Sequence, residues 1–355
     1  MGKINQATST FVDPAKAPLV VTGMHRSGTS LTAAFLQSLG IDLGEEFWQA
    51  DQHNTKGYFE DVDFLQFQRS LLVECCPPDD GGWVDWGWTE HEKLDRSQFP
   101  NYTNQAKQLL QKRQNVSIWG WKDPRTTLLL DFWQELLPEA YFLLVYRFPW
   151  EVIDSILRLN APVFSENPHY PLKIWQYYNR HLWDFYRKNS ERCLLCNVNR
   201  FWENPGNLVQ LLQKKFNLSI HPQNYPNPEP SPILDPQMFR QLDWQHPLVG
   251  WLERFEPECI QLLAKLDSVA DLPSKFPTDK PISEDSHSTE WVLRIYQNSL
   301  QSVQQHTECL REVEELRSQL STIHASKFWP VYQGWHSLKK KVLQSLPGKP
   351  LSRIL

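Results

Sequence analysis

Short apolar runs alternate with amphipathic stretches along the first part of the chain. Four runs rich in Val, Leu, Ile and aromatic residues predict strands at 18–21, 117–121, 141–146 and 193–198. After each run, apolar residues recur at helical spacing and predict a helix; these helices lie over 28–40, 126–137, 151–159 and 205–216. Strands that alternate with helices form parallel βαβ units. We therefore expect an α/β fold with three α/β/α layers and a central, mainly parallel sheet.

A Pro-, Gly- and Asp-rich insertion at 75–100 interrupts this alternation. It carries Trp83, Trp86 and Trp88, and two roles are open for their indoles. The rings either stack on sugar rings or close the insertion as a lid against the body of the domain. Packing against the body is the default for large aromatic side chains.

The last part of the chain has a different pattern. From Trp291 to Ile323, apolar residues follow an approximate three-four spacing in an otherwise polar segment. Because the spacing slips near His306, the pattern fits either a short coiled coil between copies of the chain or an amphipathic helix packed on its own body. The predicted divisions are a flexible N-terminal arm (1–16), a main domain (17–267), a linker (268–288), this helix or coiled coil (289–324) and a basic aromatic tail (325–355).

Charge is divided unevenly along the chain. The 36 Lys and Arg and 41 Asp and Glu give a net charge of −5, yet the segment from Lys327 to Leu355 contains six basic residues and no acidic ones. The preceding body is therefore acidic, which argues against nucleic acid as a partner. Aromatic residues alternate with lysines in the tail, a composition typical of segments that contact an anionic membrane surface.

Hydropathy and cysteine usage predict the compartment. The longest strongly apolar run, 141–146, is far shorter than the roughly 20 residues of a membrane span. Six cysteines in 355 residues are too sparse for a secreted disulfide framework. We expect a cytoplasmic protein, or one held peripherally at the inner face of the membrane. Cys193 and Cys196 have zinc-like spacing but lack a second pair of ligands, so we expect core thiols and no metal.

A loop of small and polar residues joins the first predicted strand to its helix. The segment Gly-Met-His-Arg-Ser-Gly, from Gly23 to Gly28, lies before a helix N-terminus, where unpaired main-chain N–H groups favour anions. The two glycines are spaced as in a Walker A motif, but Thr29 occupies the place of the Walker lysine and the cation is Arg26. The candidate anion ligands are Gly23, His25, Arg26, Ser27, Gly28, Thr29 and Ser30.

This loop resembles the 5′-phosphosulfate-binding loop of the sulfotransferases that use 3′-phosphoadenosine 5′-phosphosulfate (PAPS). The similarity is to the bacterial and Golgi-type branch, with its pattern G-x-x-R-S-G-T-S/T. The resemblance implies a P-loop-type fold and in-line transfer of a sulfuryl group from PAPS, which is released as 3′-phosphoadenosine 5′-phosphate (PAP), without a metal. The implied acceptor is a hydroxyl of a saccharide, glycolipid or polysaccharide.

Two further segments extend the resemblance. Sulfotransferases bind the 3′-phosphate of PAPS with an Arg at the end of a later strand and a Ser eight positions further, and Arg147 and Ser155 match these residues. In the tyrosylprotein sulfotransferases a Lys-Asp-Pro segment supplies a lysine that stabilises the leaving phosphate, and Lys122 matches it. Arg125 follows in the same segment, and we expect it to pair with Asp123.

A general base must accept the proton of the acceptor hydroxyl. In the family this base is a Glu or His between the first helix and the next element. Glu60, flanked by aromatic residues that would desolvate it, is the first candidate, and Glu46, which matches the placement in the tyrosylprotein sulfotransferases, is the second. His25 and His53 remain alternatives. Arg26 and Lys122 would stabilise the charge that develops during transfer.

Two other functions stay open. One is a kinase-like, nucleotide-dependent enzyme of the same fold, against which the missing Walker lysine argues. The other is a catalytically silent interaction module that acts through its C-terminal helix. Such a module would be expected to lose the cations of the site, whereas Arg26, Lys122 and Arg147 are all present.

Overall fold

The computed structural model describes residues 17–49, 57–77, 82–113, 115–116, 118–218, 240–242, 246–276, 289–326 and 328–345. The chain divides into two compact units, Met1–Gln297 and Asn298–Leu355. The predicted N-terminal arm lies outside the described residues, as does the part of the predicted linker from 277 to 288.

A four-stranded parallel sheet forms the centre of the first unit. Its strands are β1 (Leu19–Thr22), β2 (Gly120–Lys122), β3 (Tyr141–Tyr146) and β4 (Cys193–Asn197), in the order β2-β1-β3-β4. β1 lies between two neighbours, with Val20 opposite both Trp121 and Phe142. Almost every strand residue is buried, which explains why the strands are continuous apolar runs in the sequence. The prediction of a parallel α/β sheet is confirmed.

Helices connect the strands and cover both faces of the sheet. Those of the first unit before residue 270 are α1 (Thr29–Ser38), α2 (Val62–Glu74), α3 (Thr103–Lys112), α4 (Leu130–Leu136), α5 (Pro149–Leu157), α6 (Pro162–Glu166), α7 (Tyr170–Asn189), α8 (Val198–Glu203), α9 (Pro205–Phe216), α10 (Pro247–Phe255) and α11 (Pro257–Val269). On one face, Val21 and Leu143 share a buried cluster with Leu36 of α1. On the other, the ring of Phe142 lies 5.0 Å from that of Phe185 in α7. The three-layer prediction is therefore confirmed.

Two local elements differ from the sequence prediction. Helix α2 was not predicted; it begins after Asp61, whose carboxylate accepts hydrogen bonds from the N–H groups of Asp63 (3.1 Å) and Phe64 (3.3 Å). The helix predicted over 126–137 begins instead as a 3-10 helix, Pro124–Leu129, before α4. Short 3-10 segments of this kind are frequent at the N-terminal ends of α-helices.

The tryptophans of the insertion pack against the body of the first unit. The ring of Trp83 lies 4.7 Å from that of Tyr170 in α7, and the ring of Trp86 lies 5.5 Å from that of Phe164 in α6. Trp88 is fully buried. Packing, the second of the two roles considered for these indoles, is the one that the structure shows.

A long helix, α12 (Thr289–Ala325), begins in the first unit and continues into the second. In the first unit Leu293 and Gln297 are buried, and the hydroxyl of Tyr296 donates to Asp154 at 2.7 Å. The second unit contains the rest of α12 and a further helix, α13 (Trp329–Ser345). Most large apolar side chains of α12 in the second unit are exposed: Val303, Leu310, Val313, Leu316, Leu320 and Ile323. None of the helices in the described ranges combines the length and apolar character that crossing a bilayer requires.

Candidate active site

The predicted anion-binding loop is fitted tightly between β1 and α1. A side chain at Gly23 would place its Cβ 2.0 Å from the carbonyl oxygen of Val145 in β3, and one at Gly28 would place it 2.5 Å from Cγ2 of Val198 in α8. Gly28, with φ of 86°, also has left-handed backbone. The two glycines are therefore needed for the close approach of the loop to its neighbours.

Arg26 lies at the turn of the loop with φ of 66°, in the left-handed region. Its Nε donates to Oγ of Ser155 in α5 at 3.0 Å, and its main-chain carbonyl accepts a hydrogen bond from Nη1 of Arg147 at 3.2 Å. The structure thus brings together Arg26, Arg147 and Ser155, which the sequence analysis placed in one binding site.

Arg147 is buried and held by several acceptors. Its Nε donates to Glu151 at 2.8 Å, and Nη2 donates to the main-chain carbonyl of Arg240. Glu151, also buried, accepts further hydrogen bonds from the side-chain amide of Asn199 at 3.0 Å and from the main-chain N–H of Leu242 at 3.1 Å. Glu151 was not among the predicted site residues, although it lies four residues after Arg147, which is a recognisable ion-pair spacing.

Lys122, at the end of β2, contacts Glu60, the first candidate for the general base. Its Nζ donates to Oε1 of Glu60 at 2.8 Å, to the main-chain carbonyl of Tyr58 at 2.7 Å and to Oγ of Ser30 at 3.2 Å. Both charged side chains are almost fully buried. Lys122 therefore bridges the N-terminus of α1, through Ser30, and the segment that precedes α2.

Arg125 forms the second cationic contact of Glu60. Its Nη1 lies 3.3 Å from Oε2 of Glu60 and 3.0 Å from Oδ1 of Asp123, and its Nη2 donates to Asp85 of the insertion at 2.9 Å. The expected pairing of Arg125 with Asp123 is thus present. The contact of Asp85 with Arg125 could not be predicted from the sequence, because it depends on how the insertion folds back.

Burial and the charges of Lys122 and Arg125 determine the ionisation of Glu60 and Asp123. Burial alone would raise the pKa of Glu60, but the neighbouring charges of Lys122 and Arg125 hold it below its ordinary value. Glu60 is therefore ionised at neutral pH. At Asp123, burial outweighs the attraction of Arg125 and raises the pKa to about 6.

Two side chains of the loop have buried polar atoms without hydrogen-bond partners among the described residues, namely His25 Nε2 and Ser27 Oγ. Burial, with the charges of Arg125, Lys122 and Arg26, lowers the pKa of His25 well below its usual value, so its imidazole is neutral at pH 7. Buried polar atoms are rarely left unpaired in native proteins. The unpaired hydroxyl of Ser27 is compatible with its predicted role as an anion ligand.

The N-terminus of α1 adds main-chain N–H groups to the predicted anion-binding loop. Gly28 provides no side-chain cap, so the first N–H groups of the helix, which begins at Thr29, receive no side-chain acceptor. Ser30 donates its hydroxyl to the carbonyl of Tyr58 at 3.1 Å. Helix N–H groups, the free hydroxyl of Ser27 and the cations Arg26 and Lys122 are donors suited to a multiply charged oxyanion.

The remaining predicted residues lie elsewhere. Glu46 is exposed and lines a cleft with Lys112 and Arg113, rather than contacting Lys122 as Glu60 does. His53 falls outside the described residues. Cys193 and Cys196 are buried in β4, where burial raises the pKa of each thiol. Within the described ranges, no group of three or more His, Cys, Asp and Glu side chains is placed to hold a metal ion.

Gly28→Ala is expected to destabilise the protein more than Gly40→Ala. Both glycines have left-handed backbone, with φ of 86° and 87°, and an alanine there costs roughly 1–2 kcal/mol. At Gly40 the added Cβ meets no atom within 4 Å, whereas at Gly28 it meets Val198. Chemical denaturation of the two variants measures the difference.

The double variant Gly28→Ala, Val198→Ala provides the control, because it removes the steric conflict but keeps the backbone strain. Its free energy of unfolding should exceed the value expected from adding the two single effects. Equal stability of Gly28→Ala and Gly40→Ala would contradict the close packing of the loop on α8.

Comparison with known proteins identifies a family. A family model described as "Sulfotransferase family" matches residues 18–222. Similar solved structures include the sulfotransferase domain of the Synechococcus PCC 7002 olefin synthase (19% identity, 73% of this chain and 97% of that chain, TM-score 0.40). Others are the sulfotransferase STF9 from Mycobacterium avium (13% identity, 75% and 79%, TM-score 0.41) and the sulfotransferase domain from the curacin biosynthetic pathway (14% identity, 59% and 78%, TM-score 0.39). No curated protein sequence matches the chain.

The family match covers more than half of the chain and includes β1 to β4, the loop from Gly23 to Gly28, Lys122 and Arg147. It coincides with the part of the first unit in which the predicted ligands converge. The chain belongs to the sulfotransferase family.

Proposed function

We propose that this sulfotransferase transfers a sulfuryl group from PAPS to a hydroxyl of a saccharide, glycolipid or polysaccharide in the cytoplasm. The observation that carries the proposal is that the loop before α1 contains Arg26 and the unpaired hydroxyl of Ser27, while Lys122 donates to Ser30 in the first turn of α1. The acceptor class rests on the resemblance of the loop to the bacterial and Golgi-type branch. The six unpaired cysteines suit a reducing compartment.

The loop would hold the phosphosulfate end of the donor. Its ligands are the main chain from Gly23 to Ser30 with the side chains of Arg26 and Ser27, and we place the 3′-phosphate with Arg147 and Ser155. Arg147 now donates to the carbonyls of Arg26 and Arg240, which are neutral acceptors. A phosphate is a stronger acceptor, because charge-assisted hydrogen bonds are about twice as strong as neutral ones.

Glu60 is the proposed general base. During transfer the acceptor oxygen forms a bond to sulfur, the bond between sulfur and the phosphate oxygen breaks, and the proton of the acceptor hydroxyl passes to the Glu60 carboxylate. The negative charge that remains on the leaving phosphate of PAP is stabilised by Lys122 and Arg26. An ionised Glu60 at neutral pH is a requirement of this role, and the flanking cations supply it.

The two alternative functions predict a different use of nucleotides. A kinase-like enzyme would bind ATP through a lysine after the second loop glycine, where this chain has Thr29. A silent module would bind neither donor productively.

Incubation of the protein with PAPS carrying radiolabelled sulfate, a cell extract and, in parallel, labelled ATP separates these functions. We expect labelled sulfate in a hydroxyl-bearing carbohydrate product, PAP formed in equal amount, and no transfer from ATP. Phosphorylation of a product from ATP would favour the kinase-like enzyme. Binding of PAP without turnover in any extract would favour the silent module.

A further inference from the structure

We propose that α13 binds the surface of an anionic lipid bilayer. The helix, together with the residue just before it, exposes a row of large apolar side chains: Phe328, Val331, Tyr332, Trp335 and Leu338. Each is at least half exposed, and Phe328 reaches 79%. Soluble proteins rarely leave a contiguous apolar surface of this kind uncovered unless it is an interaction site.

The spacing of these residues places them on one side of the helix. Val331 and Tyr332 are adjacent and the other steps are three positions, and at about 100° per residue the five occupy an arc of about 120°. The opposite side presents polar side chains, among them Gln333 and Ser337, which are exposed. The helix is therefore amphipathic, with an apolar face of the width that an interfacial helix inserts among lipid acyl chains.

One lysine lies within the arc of this apolar face, and two lie on the polar side of the helix. Lys339 Nζ is 5.4 Å from the centroid of the Trp335 ring, so the cation lies beside the apolar row. Lys340 and Lys341 follow, all three are exposed, and α13 contains no Asp or Glu. The aliphatic parts of lysine side chains extend along apolar surface and carry the ammonium groups to the headgroup level.

The charge of the helix favours lipid over pairing with the α13 of a second copy of the chain. Two α13 helices packed face to face would bring lysines of the same sign together without any acidic partner on either helix. An anionic membrane surface complements these cations and attracts each of them. Tyr332 and Trp335 suit the same environment, since Tyr and Trp concentrate at membrane–water interfaces. With three consecutive lysines, α13 lies on a membrane rather than through it.

Vesicle sedimentation of the full chain tests this proposal. We expect binding to phosphatidylglycerol vesicles, weak binding to phosphatidylcholine vesicles, and release by high salt. The variant Lys339→Gln, Lys340→Gln, Lys341→Gln should bind phosphatidylglycerol roughly 100-fold more weakly, because each lysine near an anionic surface contributes about a fivefold factor. The variant Trp335→Ser, Leu338→Ser should also lose binding.

Two control variants isolate the apolar face of α13. Gln333→Ala changes its polar side, and Leu316→Ser changes an exposed apolar residue of α12; both should bind as the parent chain does. The proposal is wrong if the parent chain fails to bind phosphatidylglycerol or if all variants bind equally. It is also wrong if Trp335→Ser, Leu338→Ser converts an oligomer to a monomer without affecting vesicle binding, because the face then pairs copies of the chain. Vesicle binding is independent of PAPS turnover, so each proposal can fail without the other.

Discussion

Replacement of Lys122 by methionine is expected to lower the rate constant of sulfuryl transfer by about 10²- to 10³-fold. Lys122 is buried against Glu60 and Ser30 at the edge of the loop, where its ammonium group is shielded from water. A charge in such a position stabilises a developing phosphate charge more than an exposed one does. Methionine keeps the length and apolar character of the side chain but removes the charge. Single-turnover kinetics with saturating PAPS measure the effect.

The control for this variant is Lys112→Met. Lys112 also pairs with a carboxylate, Asp63, but both side chains are exposed. Its replacement should leave the rate unchanged and change the free energy of unfolding little, since exposed ion pairs contribute about 0–1 kcal/mol. Lys122→Met leaves Glu60 paired with Arg125, so the fold should persist. A variant that is folded, binds PAP and transfers sulfate at the parent rate would show that Lys122 has no role in the reaction.

Glu60→Gln is expected to reduce turnover by about 10²- to 10⁴-fold while PAP still binds. The amide keeps the shape of the side chain, and its single oxygen can accept from Lys122 while its NH2 group faces Arg125, but it cannot take the proton of the acceptor. Titration calorimetry with PAP and rate measurements with PAPS separate the two effects. The matched variant Glu46→Gln, at an exposed carboxylate, should retain the parent rate.

The pH dependence of the transfer rate follows from the effect of Lys122 and Arg125 on the pKa of Glu60. Because the pKa of Glu60 is held below its ordinary value, the carboxylate remains ionised further into the acidic range than that of an ordinary glutamate. The rate of the parent enzyme should therefore show no loss from protonation of this base between pH 8 and 5. A parent rate that Glu60→Gln preserves and His25→Gln abolishes would instead identify His25 as the base.

The sheet could be predicted from the sequence because its strands are buried. In a parallel sheet with both faces covered, each strand is a continuous apolar run, so β3 was predicted with its exact bounds and β1 within one residue. Helix α2 escaped prediction, although Asp61 followed by Phe64 and Leu65 is an N-cap signal before apolar residues at helical spacing. Elements with a local sequence signal could thus be predicted, and α2 had such a signal although it was overlooked.

The contacts within the site could not be derived from spacing alone. Lys122 and Glu60 are 62 positions apart, and Arg26 and Ser155 are 129 positions apart. Resemblance to a family indicated which of these residues belong to one site, but not that Glu60 would lie between two cations. That arrangement depends on Asp61, which caps α2, and on the parallel pairing of β1 with β2, which sets the position of Lys122.

The left-handed backbone of Arg26 implies a conflict between folding and activity at the turn of the loop. A residue with a Cβ in this conformation costs roughly 1–2 kcal/mol, and glycine would relieve that cost. Glycine would also remove the guanidinium that contacts Ser155. Selection for stability alone would therefore drive position 26 toward glycine, whereas the proposed role of Arg26 in sulfuryl transfer would keep the strained arginine. A stabilised version of this enzyme should be built by changes elsewhere, with Arg26 held fixed.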